Sequence, residues 1–80
     1  MSTVMFKVSK AKSPHKGPKK LEEFLNDAAE RAGGRLVCYS GVGGGVAYGI
    51  VEGLHDNDAL LAFLSVVAAV GEVITSLTSD

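Results

Sequence analysis

The sequence is short of the residues that announce chemistry. Its single cysteine, Cys38, excludes an internal disulfide, and with two widely spaced histidines, His15 and His55, it gives no zinc spacing. There is no paired nucleophile and base, and no glycine loop opening a helix to cradle a phosphate. No basic stretch leads into an apolar core at the N-terminus. The longest apolar stretch, residues 59–70, has the length of a buried helix rather than of a membrane span. A soluble cytoplasmic protein with no membrane partner, no metal and no cofactor is the expectation.

Acids are missing from the first twenty residues. Lysines 7, 10, 12, 16, 19 and 20 make that stretch +6, while residues 21–80 set Arg31 and Arg35 against nine acids, for −7. These lysines suit either a local anion-binding edge or a solvated loop feeding a helix. No aromatic interleaves with them, and the total charge is slightly acidic, so a nucleic-acid partner is not expected.

What is present is a strong hairpin signal over residues 33–52. Leu36, Val37, Cys38 and Tyr39 precede a glycine run, Gly41-Val42-Gly43-Gly44-Gly45, and Val46, Tyr48, Ile50 and Val51 follow it. A two-residue turn at Gly43-Gly44 predicts that Tyr39 opposes Tyr48, Cys38 opposes Gly49 and Val37 opposes Ile50. Val37, Tyr39, Val46, Tyr48 and Ile50 then share one face; Leu36, Cys38, Ala47, Gly49 and Val51 share the other. Neither face is polar, so a slip of one residue would not be corrected by exposure of a hydrophilic side.

Around this hairpin the pattern predicts a strand over 3–8, with Val4, Phe6 and Val8 on one face and Met5 and Lys7 on the other. A basic loop over 9–17 follows, in which Ser13-Pro14 disfavours helix. Pro18 opens a helix on which Leu21, Phe24, Leu25, Ala28, Ala29 and Ala32 recur at helical spacing, and Gly33-Gly34 ends it. Beyond the hairpin, Asp56 or Asn57 is placed to cap a second helix over 59–70, apolar nearly all the way round and so expected to be buried on more than one side. Gly71 stops it, and residues 72–78 alternate as a last strand.

The order is β-α-β-β-α-β, an α+β ferredoxin-like plan within one domain, residues 1–80: a four-stranded antiparallel sheet with two helices on one face. The helix-free face carries apolar side chains, and 80 residues leave nothing to cover it. A second copy is the simplest cover, which predicts a homodimer or higher oligomer closed as a dimeric α-β barrel.

Residues Ala28-Ala29-Glu30-Arg31-Ala32-Gly33-Gly34-Arg35-Leu36, the glycine turn, Ile50-Val51-Glu52, Asp56-Asn57-Asp58-Ala59 and Ala68-Ala69-Val70-Gly71-Glu72-Val73 together resemble the GYD domain family. These are small bacterial proteins placed among the dimeric α-β barrels, and the likeness spans roughly residues 20–78. It implies a fold and a dimer rather than a reaction, since the family has no well-defined chemistry. Where that family has Gly-Tyr/Glu-Asp at the turn into the third strand, this chain has Gly43-Gly44-Gly45, so no role of that acidic position is carried over. A second resemblance, through Leu36-Val37-Cys38-Tyr39, Gly43-Gly44-Gly45-Val46 and Gly71-Glu72-Val73, is to microcompartment shell domains, which tile as hexamers. The segment between Glu52 and Gly71 is short for that family and lacks its basic edge residue.

Tyr39, Tyr48 and His15 are the candidate ligand-binding residues. Two phenols facing each other inside a dimer can orient a polar or aromatic ligand, and His15, beside Lys12 and Lys16, can join them if its loop folds over the barrel mouth. Cross-strand packing of the tyrosines and a solvent-exposed histidine are the plainer readings. His55 and Asp56 are accounted for by a capping turn, and Cys38 by burial in a strand. The expected function is small-molecule binding in or near the dimer cavity. A cofactor-independent monooxygenase or isomerase of the dimeric barrel kind is the alternative, and an assembly subunit of the shell kind a further one; no catalytic residue is assigned.

Overall fold

Alternation in the first strand decides which side of the sheet is dry. Val4, Phe6 and Val8 are buried, and Met5 between them is exposed. A computed structural model describes the backbone of residues 2–79 and the side chains of residues 3–76; the pattern drawn for Leu77 and Thr78 lies outside those side chains. The chain runs β1 (Ser2–Ser9), α1 (Pro18–Arg31), β2 (Arg35–Gly43), β3 (Val46–Leu54), α2 (Asn57–Ala68) and β4 (Glu72–Ser79). The strands form one antiparallel sheet in the order β2-β3-β1-β4. This is the expected ferredoxin-like α+β topology, in which right-handed crossovers put both helices on one face.

The first helix forms where its apolar stripe meets the sheet. Leu21, Leu25, Ala28 and Ala29 are buried, Pro18 occupies the first turn, and the helix ends in a Schellman motif. Gly33, at φ +92°, donates to the Glu30 carbonyl at 3.0 Å, and Gly34 donates to Ala29 at 2.9 Å. The second helix begins at Asn57, two residues before the expected start, because the Asp56 carboxylate accepts from the Ala59 N–H at 2.9 Å. Between the layers the Phe6 and Phe63 rings meet edge to face, centroids 5.4 Å apart.

The expectation that this second helix is buried on more than one side fails. Phe63 and Val67 are its buried residues, while Leu61 is 59% and Val66 44% exposed. Two helices and a sheet make two layers, and no further described element lies above α2 to cover its outer side.

The hairpin register also differs from the expectation. Gly43 opposes Val46, so the turn is Gly44-Gly45, whose positive φ values of 64° and 82° are the type I′ pattern. Ser40 then opposes Tyr48, Tyr39 opposes Gly49 and Cys38 opposes Ile50. Irregularities between Leu36 and Cys38 and between Gly41 and Gly43 each insert one extra residue into β2. Each bulge shifts the pairing by one, so the predicted register survives beyond the first of them, at Leu36–Val51 and Arg35–Glu52.

Candidate functional site

The helix-free face is built by alternation on three strands and by a bulge on the fourth. It carries Met5 and Lys7 from β1, Tyr48 and Ile50 from β3, Cys38 and Ser40 from β2, and Ile74 and Ser76 from β4. Met5 and Tyr48 are each 47% exposed and Ile74 is 67% exposed. Two shallow hollows lie on either side of the Met5–Tyr48 ridge. One, of about 160 Å³, is floored by Phe6 and Gly49 and walled by Cys38, Ser40 and Ile50. The other, of about 210 Å³, is bounded by Lys7, Ile74, Thr75 and Ser76.

Lys7 stands at the centre of this face. It opposes Tyr48 on one side and Ile74 on the other, and its ammonium lies 5.6 Å from the Tyr48 ring centroid. It is separated from the other lysines of the basic stretch. Lys10 pairs with Glu72 at 3.3 Å, and Lys12, Lys16, Lys19 and Lys20 are exposed on the loop and the first turn of α1. The loop itself is tied down: Ala11 is buried and donates to the Gly45 carbonyl at 3.1 Å, and Lys12 donates to Val70 at 2.9 Å. The six lysines therefore do not form one anion-binding edge.

The three candidate ligand residues are not brought together. Tyr48 lies on the open face, whereas Tyr39, turned by the Val37 bulge, packs on the helix side and donates its hydroxyl to the Pro18 carbonyl at the start of α1. Gly41 leaves room for that junction, since a Cβ there would lie 2.7 Å from both the Tyr39 hydroxyl and Pro18 Cβ. Burial, and after it the Glu22 carboxylate, raises the Tyr39 phenol above its ordinary range. His15 is half-buried against the Phe24 ring of α1, centroids 4.7 Å apart. The opposed tyrosine pair is thus corrected to two single tyrosines on opposite sides of the sheet.

Cys38 is also corrected: it is exposed, not a buried thiol, because the same bulge that turns Tyr39 inward turns Cys38 out. Asp56 serves as the helix cap, as the capping reading of the His55–Asp56 pair requires. Two further depressions flank the sheet. One, of about 390 Å³, runs between α1 and β2 past Glu22, Glu23 and Asn26; the other, of about 340 Å³, surrounds the ion pair of Arg35 with Glu52 at 3.0 Å. Met5, Lys7 and Ile74, which the sequence did not single out, stand beside Tyr48 on the open face. Their signal was present in the alternation of β1 and β4, which sets them opposite the core-facing positions.

No family model matches the chain, and neither a curated protein nor a solved structure does so at a significant level. Among the described residues, no helix is long and apolar enough to cross a membrane, and no three of His, Cys, Asp and Glu gather as metal ligands.

Proposed function

We propose that the chain works as a homodimer closed across its open sheet face, a cytoplasmic dimeric α-β barrel of the GYD kind that holds a small molecule between its two sheets. The observation that carries the reading is the exposure of Met5, Tyr48 and Ile74 together on the side that neither helix covers. Four strands at about 4.8 Å spacing, each of roughly eight residues at about 3.3 Å, present about 500 Å² in projection. Side-chain relief enlarges this towards the roughly 800 Å² per partner of a standard interface. A two-fold axis would set each hollow against a surface of the second copy and turn open depressions into an enclosed space.

Binding leads over catalysis because of the company Tyr48 keeps. A monooxygenase or isomerase of this kind needs an acid or base beside the phenol, and the carboxylates nearest that face, Glu52 and Glu72, are engaged by Arg35 and Lys10. His15 is held on the helix side against Phe24.

Sedimentation equilibrium over a range of concentrations tests the pairing. The wild type is expected at twice the chain mass, Ile74→Lys at the monomer mass with unchanged far-UV circular dichroism, and Leu61→Lys, on the outer side of α2, still at twice the mass. A folded wild type that stays monomeric at all concentrations would overturn the reading, as would an Ile74→Lys variant that dimerises normally.

A further inference from the structure

We infer that the small molecule taken up between the sheets is an anion with a flat apolar body, an aromatic monocarboxylate, held by the Lys7 ammonium. This rests on the pairing of two copies proposed above. Lys7 is the cation of the open face that has no acid of its own. Among the described residues it makes no salt bridge, and its neighbour is the Tyr48 ring, 5.6 Å from the ammonium. The two acids at the ends of the same face are already committed, Glu52 to Arg35 at 3.0 Å and Glu72 to Lys10 at 3.3 Å.

Covering the face therefore sets up an electrostatic problem that this chain does not solve by itself. An ammonium withdrawn from water without a counter-charge is strongly disfavoured even after relaxation. A two-fold axis brings a second Lys7 into the same apolar layer, so association alone adds a like charge rather than a partner. A bound anion supplies the missing charge.

Shape and lining choose the rest of the ligand. The hollow beside Lys7 holds about 210 Å³, against the roughly 150 Å³ that suffices for a benzene ring in an apolar cavity. Its walls are Met5, Tyr48 and Ile74, which suit a ring, while Ser76 offers a hydroxyl at one margin. A single ammonium with one phenol nearby matches the charge of a carboxylate; phosphate, larger in charge and without an apolar part, would leave those walls unfilled.

The test follows the dimer dissociation constant by sedimentation or native mass spectrometry, with benzoate, its neutral isostere benzamide, and inorganic phosphate as probes at equal ionic strength. Benzoate is expected to tighten the wild-type dimer by about tenfold, with benzamide and phosphate near the untreated value. Lys7→Met, which removes the unpaired charge and keeps the length of the side chain, is expected to dimerise more tightly than the wild type without any additive and to be insensitive to benzoate. If the wild type dimerises but ignores benzoate, or if Lys7→Met responds to it equally, the anion inference falls and the pairing stands. An equal response to benzamide or phosphate overturns the carboxylate assignment. A wild type that remains monomeric with and without benzoate removes both.

Discussion

Gly49 and Tyr39 oppose one another across the hairpin and show how single side chains hold this sheet to its helices. A Cβ on Gly49 would lie 2.6 Å from Phe6 Cζ, and that ring cannot swing away because Phe63 is packed edge-on against it. Gly49→Ala is therefore expected to destabilise the fold by about 1–3 kcal/mol, seen as a lower urea midpoint with the slope unchanged. Tyr39 joins β2 to the start of α1 through its bond to the Pro18 carbonyl, and its phenol titrates above the ordinary value of about 10. The unfolded chain ionises first, so the stability contributed by the protonated phenol is intact below pH about 10 and is lost as pH climbs through the folded value. Urea midpoints measured from pH 8 upwards should show an alkaline decline that Tyr39→Phe flattens. At neutral pH the same variant should cost about 0.5–1 kcal/mol for the lost bond. Neither contact was legible in the sequence: the first depends on how β3 pairs with β1, and the second on which face β2 presents, which a strand with apolar residues on both faces does not declare.

At the scale of elements, the two helices begin in opposite ways. Asp56 caps α2 and Asp58 sits in its first turn, whereas α1 starts at Gly17 with no side-chain cap and with Lys19 and Lys20 near the positive end of its dipole. Asp56→Ala should cost about 1 kcal/mol. Gly17→Asp should instead stabilise by about 0.5–1 kcal/mol, since the Gly17 backbone is already extended and a Cβ there would meet nothing within 4 Å. Equilibrium urea curves of the two variants check both signs. The helices and their caps were readable because those signals are local: a stripe at helical spacing, an acid before it, a glycine pair after it. The two β2 bulges were not. Three consecutive glycines, Gly43 to Gly45, permit a turn at either neighbouring pair, and the choice is made by contacts distant in sequence, such as Ala11 closing on Gly45.

For the whole molecule, the unsettled surfaces are the two outsides of a two-layer fold. The outer side of α2 exposes Leu61 and Val66, and the open face of the sheet exposes Met5, Tyr48 and Ile74. The open face is spanned by all four strands of the sheet, and so is the better suited to a second copy. If pairing and folding are linked, the melting temperature should climb with protein concentration by roughly 4 °C per tenfold, a dependence that Ile74→Lys should abolish in scanning calorimetry. The sequence by itself determined the element order, the sheet it implies and the division of β1 into two alternating faces, because turn glycines, caps and periodicity act over a few residues; which of those faces meets the helices came from the packing. Only the tertiary structure decided that Tyr39 and Tyr48 part company, that Cys38 faces out and that Lys7 stands among apolar neighbours with no acid paired to it among the described residues. Those outcomes follow from register and from the packing of strands far apart in the chain, where a single inserted residue reverses which side of the sheet a side chain meets.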